Sequence, residues 1–212
     1  MPELPQLLLF IAAGWLLNLT PGPDVLYIVT NALKSGVRAG VVAGFGIFSG
    51  CFVHVAAAAV GMSALLATSA TAFTLLKWIG AAYLLWMGVR LLFAKATPLN
   101  LEAGSVEVDL WRVYRRGFLT NVLNPKVALF FLAFVPQFIA PDAPHKAWVF
   151  LLLGVIFNVN AIPINMAYAW LAAWAARRVQ MVQRAMHWMD RAAGLLFVGF
   201  GLKLAMTDNP AQ

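Results

Sequence analysis

The sequence predicts an all-α integral membrane protein whose six transmembrane helices form two inverted repeats of three helices each. Of its 212 residues, 62% are hydrophobic and only 11% are charged, whereas a soluble domain carries about 25% charged residues. Apolar runs of about 20 residues, the length that spans a bilayer, occur three times on each side of a polar segment. Because three is an odd number, the two halves must insert with opposite orientation, which is typical of an inverted repeat.

The whole chain, 1–212, is expected to form one membrane domain, with the first repeat at 5–94. Its first helix covers about 6–32 and is interrupted at residues 18–24. A short turn with Lys34 and Arg38 leads to the second helix, at about 39–66. Small residues at four-residue spacing let helices approach closely, and we expect this role for Gly36, Gly40, Gly44, Gly46 and Gly50. The third helix covers about 73–93 and carries aromatic residues suited to the membrane interface or to packing.

Residues 95–116 form a predicted cytoplasmic linker, with an amphipathic approach to the next helix near Trp111. The second repeat follows at 117–207. Its helices are expected at about 117–139, interrupted near residue 124, at about 146–175, and at about 192–206. In the fifth helix, Asn158, Asn165 and Tyr168 share one face by helical spacing, so that face should point inward.

The distribution of basic residues predicts the orientation in the membrane. Most lysines and arginines lie in the three odd-numbered loops, and basic loops stay in the cytoplasm. Both termini are therefore expected on the outside, although a five-helix alternative would move one of them. The same reasoning assigns the net charge of +7 to lipid headgroups and not to nucleic acid. Because no Lys or Arg precedes the first apolar run, we expect that run to be retained as a helix.

Two interruptions combine helix-breaking residues with a charge. The first is Asn18-Leu19-Thr20-Pro21-Gly22-Pro23-Asp24, and the second, about a hundred residues later, is Asn121-Val122-Leu123-Asn124-Pro125-Lys126. Proline removes a backbone donor and a charge within the membrane is costly. Such backbone is tolerated at this depth only where it is buried in protein or lines a water-filled cavity. Interrupted helices in matching positions of two halves indicate the binding site of a transporter.

The chemistry of these interruptions suits a zwitterion. Thr20 before Pro21, and Asn124 before Pro125, are each predicted to be a helix N-cap followed by proline at the first helical position. The two positive helix ends should converge and, with Lys126, suit a carboxylate. Asp24 would suit a substrate ammonium or a coupling proton.

An ion pair between Asp24 and Lys126 that only stabilises the bundle remains an alternative, as does plain interhelical hydrogen bonding by the asparagines of the fifth helix. No catalytic residue, metal ligand or cofactor is predicted. The predicted substrate-binding or coupling residues are Asn18, Thr20, Pro21, Gly22, Pro23, Asp24, Asn124, Pro125, Lys126, Asn158 and Asn165.

At these motifs the chain resembles the LysE/RhtB family of amino-acid exporters. The resemblance covers nearly the whole length and includes both interruptions, the glycine-spaced second helix, Phe130-Phe131 and Pro136-Gln137-Phe138. It implies export of amino acids or close derivatives across the bacterial inner membrane, by antiport with protons. It also implies a substrate-site role for Pro21, Gly22, Pro23, Asp24, Asn124, Pro125 and Lys126. The expected partners are thus an amino acid, protons and the lipid bilayer, and the glycine-rich faces allow a homodimer. The resemblance does not identify the substrate.

Other function classes fit the sequence less well. A cation or metal exporter of the same superfamily would need several carboxylates or soft ligands within its helices, and Asp24 is nearly alone there. A thiol–disulfide enzyme would need two cysteines, whereas the chain has only Cys51. A membrane metalloprotease would need a His-Glu-x-x-His helix. A structural subunit would not need a charged, broken helix in each half.

Overall fold

A computed structural model describes residues 2–68, 70–93, 108–140 and 143–206. Within these ranges the chain is helical and contains no strand. Residues 95–107 of the predicted linker lie outside the described residues, as do Pro141 and Asp142. The rest of the predicted linker is largely helical, because a helix begins at Leu110 with Asp109 as its N-cap. The aromatic and basic residues near Trp111 thus belong to the first turns of this helix.

Seven α-helices follow one another along the described residues. They are α1 (Leu4–Leu19), α2 (Pro23–Thr68), α3 (Ala70–Leu92), α4 (Leu110–Val122), α5 (Pro125–Leu129), α6 (Lys146–Trp174) and α7 (Val179–Met206). The segment after α5 continues as a π-helical turn, Phe130–Phe134, and a 3₁₀ turn, Val135–Phe138.

A backbone joint at Gly36 divides α2 into residues 23–35 and 37–68. Gly36 has φ of 81° and ψ of 177°, and no other described residue has a positive φ. Glycine adopts this conformation without the steric cost that a side chain would impose. The turn that was expected between the first two helices is therefore a single residue. No atom lies within 4 Å of the position that a Cβ would take at Gly36, so the expectation that this glycine packs against another helix is wrong.

Several described helices have the length and composition of membrane spans. Residues Pro23–Gly61 and Lys146–Trp174 are each long and apolar enough to cross a bilayer. Leu110–Val122 together with Pro125–Phe138, bent by 44°, makes a third span if the pair is counted as one. Leu4–Leu19 is apolar but shorter. These helices indicate a multi-pass membrane protein, while the six-helix inverted repeat stays a prediction.

Glycines bring α2 into close contact with α4, as their spacing predicted. A Cβ at Gly46 would fall on the backbone carbonyl of Tyr114, and one at Gly50 would lie 2.6 Å from the carbonyl oxygen of Phe118. On the facing helix, a Cβ at Gly117 would lie 2.7 Å from the carbonyl oxygen of Ala43. The two backbones therefore touch along this contact, which fixes the position of the C-terminal end of α4.

A reciprocal contact joins α3 and α7. A Cβ at Gly88 would lie 2.7 Å from the carbonyl oxygen of Gly194, and a Cβ at Gly194 would lie 2.7 Å from that of Gly88. Each glycine also faces a residue four positions beyond the other, Val198 and Leu92 respectively. The contact is thus symmetric between α3 and α7.

The largest apolar cluster packs beside the two interruptions. Its aromatic centre combines Phe10 of α1, Phe157 of α6 and the phenylalanines that follow α5. Phe130 lies with its ring centroid 4.7 Å from that of Phe157 and 6.1 Å from that of Phe10. This cluster holds α1, α5 and α6 together and so positions the residues of the candidate site.

Candidate functional site

The first interruption separates α1 from α2. Thr20 is the C-cap of α1, and its Oγ1 donates to the carbonyl oxygen of Leu16 at 2.6 Å. The prediction that Thr20 caps the N-terminus of the next helix is therefore wrong. That helix begins at Pro23. A proline disfavours the α conformation at the residue before it, so Pro23 keeps Gly22 out of the helix. The carbonyl oxygen of Gly22 accepts the first backbone hydrogen bond of α2, from the N–H of Leu26 at 2.9 Å.

The second interruption has the predicted capping geometry. The Oδ1 atom of Asn124 accepts a hydrogen bond from the backbone N–H of Lys126 at 3.0 Å. Pro125 occupies the first helical position of α5. Asn124 satisfies one of the backbone donors that a helix N-terminus leaves free.

The two interruptions place opposite charges at equivalent positions. Pro23 and Pro125 each begin a helix, so Asp24 and Lys126 are each the second helical residue. Both side chains are buried, with Asp24 8% exposed and Lys126 6% exposed. A matched acid and base at the two helix starts is the central feature of this site.

Asp24 is bound by amides of the second interruption. Its Oδ2 atom accepts hydrogen bonds from Nδ2 of Asn121 and Nδ2 of Asn124, both at 2.9 Å. Its Oδ1 atom is buried and has no hydrogen-bond partner among the described residues. One carboxylate oxygen is thus anchored, and the other is available to a ligand.

Lys126 is bound by the backbone of the first interruption. Its Nζ atom donates to the carbonyl oxygens of Leu17 and Thr20, both at 3.1 Å. These carbonyls belong to the end of α1, where the helix dipole favours a cation. Each charge therefore bonds to the interruption of the other half, and Asp24 and Lys126 make no direct ion pair with each other. Gly22 leaves room for the ammonium, since a Cβ there would lie 3.3 Å from Nζ.

The polar face of α6 points inward, as predicted. Asn158 and Asn165 are buried, and Nδ2 of Asn158 donates to the carbonyl oxygen of Phe48 on α2 at 3.0 Å. The hydroxyl of Tyr168 donates to the carbonyl oxygen of Leu19 at 2.8 Å. Asn158 thus makes an interhelical hydrogen bond, and Tyr168 ties α6 to the end of α1.

A small cavity lies where these elements meet. Its volume is about 20 Å³, enough for one water molecule and far below the roughly 300 Å³ or more of a ligand pocket. A substrate could occupy it only after the surrounding helices move apart. Its polar lining residues are Asn18, Asp24, Asn121, Lys126, Asn158 and Asn165.

The other predicted site residues surround that cavity in different ways. Asn124 donates to Oδ2 of Asp24, and the carbonyl oxygen of Thr20 accepts from Nζ of Lys126. Gly22 lies beside the side chain of Lys126. Pro21 is buried in the first interruption, whereas Pro23 is exposed.

Asn121 was not among the predicted site residues, although it lies in the second interruption. Its spacing of three residues from Asn124 is the signal that both amides could reach one partner.

A wider cleft opens on the other side of Pro23. Its volume is about 560 Å³, and it lies between the start of α2 and the start of α4. Three basic side chains, Lys34, Arg112 and Arg116, line it together with one acid, Asp109. The hydroxyl of Tyr27, which also lines the cleft, donates to the carbonyl oxygen of Val113 at 2.9 Å. The described residues that line the cleft therefore carry a net positive charge.

Comparisons with known proteins agree over most of the chain. Residues 15–208 match the family described as LysE type translocator. The chain is 36% identical to an uncharacterized membrane protein of Vibrio cholerae, covering 93% of this chain and 95% of that protein. It is 35% identical to an uncharacterized membrane protein of Pseudomonas aeruginosa, covering 88% of each. It is 28% identical to the leucine efflux protein of Salmonella typhimurium, covering 94% of each. No solved structure matches the chain.

Proposed function

The chain belongs to the family of LysE type translocators, and on that premise we propose that it exports amino acids or close derivatives in exchange for protons. The proposed location is the bacterial inner membrane. A relative named as a leucine efflux protein supports an amino-acid substrate. The observation that carries the proposal is the buried acid and base, Asp24 and Lys126, at equivalent helix starts beside one cavity.

The proposed architecture is six membrane spans in two inverted repeats. In it, α1 with residues 23–35 of α2 corresponds to α4 with α5 and the turns that follow. Residues 37–68 of α2 correspond to α6, and α3 corresponds to α7. The matched prolines at the helix starts and the reciprocal contact between Gly88 and Gly194 support this assignment. The basic loops support odd-numbered loops in the cytoplasm and both termini outside.

The proposed exchange depends on the free oxygen of Asp24. That oxygen can hold a substrate ammonium or a proton, but not both at once. Binding of a proton from the outside then promotes release of the amino acid, and loss of that proton to the cytoplasm prepares the site for the next one. Lys126 uses two of its three N–H donors on carbonyls, so one remains for a substrate carboxylate.

The basic cleft is the proposed cytoplasmic entrance. Lys34 lies in α2, and Arg112 and Arg116 lie in α4, at helix ends whose basic residues favour a cytoplasmic location. Positive charge in a cleft raises the local concentration of anionic groups such as carboxylates. Substrate passage from the cleft to Asp24 would require α2 and α4 to move apart, which would break the hydrogen bond between Tyr27 and Val113.

Uptake of labelled amino acids into inverted membrane vesicles tests the proposal. We expect at least one amino acid to accumulate when the vesicle lumen is acidic, and not when the proton gradient is dissipated. The matched variant is Asp24→Asn, in which the amide oxygen can still accept from Asn121 and Asn124 while the negative charge is lost. It should fold and fail to accumulate substrate. Proton-dependent uptake by Asp24→Asn would refute the coupling role, and absence of uptake across all amino acids would refute the substrate class.

A further inference from the structure

Three buried polar atoms without partners face the same cavity. Among the described residues, Oδ1 of Asp24, Oδ1 of Asn121 and Nδ2 of Asn18 make no hydrogen bond, and all three residues line the 20 Å³ cavity. More than about 90% of buried polar groups have a partner. A molecule that donates to two oxygens and accepts from one amide would satisfy all three atoms at this cavity.

The orientation of the Asn121 amide is fixed. Its Nδ2 donates to the carboxylate of Asp24 at 2.9 Å, and a flipped amide would place two acceptor oxygens together. The backbone carbonyl oxygen of Asn121 lies 2.8 Å from Nε2 of His54, which donates to it. Gly50 packs against the Cβ of Asn121, since a Cβ at Gly50 would lie 3.0 Å away. The free Oδ1 atom is therefore held in place before a ligand arrives.

We infer that Asn121 and Asp24 together bind the protonated primary amine of the substrate, and that Asn121 determines selectivity for it. This inference rests on the proposed function of the same cavity. Oδ1 of Asp24 belongs to a carboxylate and Oδ1 of Asn121 to a neutral amide, and both oxygens can only accept hydrogen bonds. A protonated amine, which has several N–H donors and a positive charge, can satisfy both together. The Nδ2 atom of Asn18 is a donor and suits a carboxylate oxygen. An N-acylated amino acid has neither the charge nor the donors that the two oxygens require.

Ligand-dependent thermal stabilisation of the purified full-length protein tests the inference. The twenty proteinogenic amino acids are screened first, and each one that stabilises the protein is compared with its N-acetyl and desamino derivatives. We expect both derivatives to bind at least about 10- to 100-fold more weakly, because each loses a hydrogen bond to a charged group. This comparison needs no variant and keeps the inference testable whatever the stability of the mutants.

The variants Asn121→Ala and Asn160→Ala then isolate the contribution of Asn121. Asn160 lies on α6, where it bonds to Trp15 and Ile156, and it does not line the cavity. Asn121→Ala should weaken binding of the amino acid by about 10- to 100-fold but barely change binding of the desamino derivative. Asn160→Ala should change neither. A role of Asn121 in folding alone would weaken both ligands equally.

The possible results separate this inference from the proposed function. Equal binding of an amino acid and its N-acetyl derivative would overturn the amine site while leaving amino-acid export intact. An equal loss of both ligands in Asn121→Ala would overturn its role in selectivity. If none of the twenty amino acids binds, the inference fails together with the proposed export of proteinogenic amino acids.

Discussion

Replacement of Lys126 by methionine separates the role of the buried ammonium from the packing of its alkyl chain. In the structure, Nζ donates to the carbonyl oxygens of Leu17 and Thr20, which end α1. Methionine is unbranched, flexible and apolar, and it fills irregular gaps in a core. The substitution therefore removes a charge and two hydrogen bonds with little change in volume.

The expected loss of stability follows from the carbonyl of Thr20, because the carbonyl of Leu17 also accepts from the backbone N–H of Thr20 at 3.2 Å and keeps that partner. A buried acceptor that loses its partner costs about 1–3 kcal/mol, so the free energy of unfolding should fall by about 1–3 kcal/mol. The favourable interaction of the cation with the end of α1 is lost as well. Because folded domains are stable by only about 5–15 kcal/mol, this is a large part of the total.

Thermal unfolding of the detergent-solubilised protein measures the effect. For a chain of this length, each kcal/mol lowers Tm by roughly 2–4 °C, so Lys126→Met should unfold roughly 2–12 °C below the wild type. Lys34→Met is the matched control, because Lys34 is exposed, and its Tm should stay near that of the wild type. Equal Tm values for the two variants would refute the argument that the ammonium holds the end of α1.

Two further predictions concern glycines. Gly46→Ala places a methyl group against the carbonyl of Tyr114, so α2 and α4 must separate at a cost of about 1–3 kcal/mol. Gly199→Ala, with no atom within 4 Å, should not destabilise the protein, and equal Tm values for the two would contradict the close contact. At Gly36, where φ is 81° and ψ is 177°, the backbone lies in a region essentially restricted to glycine, so alanine should lower the free energy of unfolding by about 1–3 kcal/mol. An unchanged denaturation midpoint for Gly36→Ala would argue against this backbone conformation.

The interruptions could be predicted because prolines and charged residues are energetically costly within a membrane-spanning helix. Prolines and charges within apolar runs demanded a buried, non-helical site, and the structure places Asp24 and Lys126 in one. The cap at Asn124 and the inward face of Asn158 and Asn165 also followed from local rules. The prediction that Thr20 is an N-cap was wrong. Either proline could have begun the helix, but Pro23 disfavours the helical conformation at Gly22, so the helix begins at Pro23 and not at Pro21.

Features that depend on tertiary contacts could not be predicted from the sequence. The role of Asn121 depends on the position of Asp24, which lies 97 residues earlier in the chain. Gly36 matched the spacing of the packing glycines, but its spacing cannot tell a close contact from a backbone joint. The crossed arrangement, in which Lys126 binds carbonyls of the first half and not Asp24, likewise needs the relative placement of both interruptions.

The matched acid and base also determine how the transmembrane voltage acts on the site. With Asp24 ionised and Lys126 protonated, the pair carries no net charge, and a bound zwitterion adds none. The voltage works on net charge, at about 2.3 kcal/mol per elementary charge and 100 mV. The empty and the substrate-loaded forms would thus change conformation without electrical work. Only protonation of Asp24 leaves a net positive charge, so in the proposed exchange the inward step of the proton is the one that a negative interior accelerates.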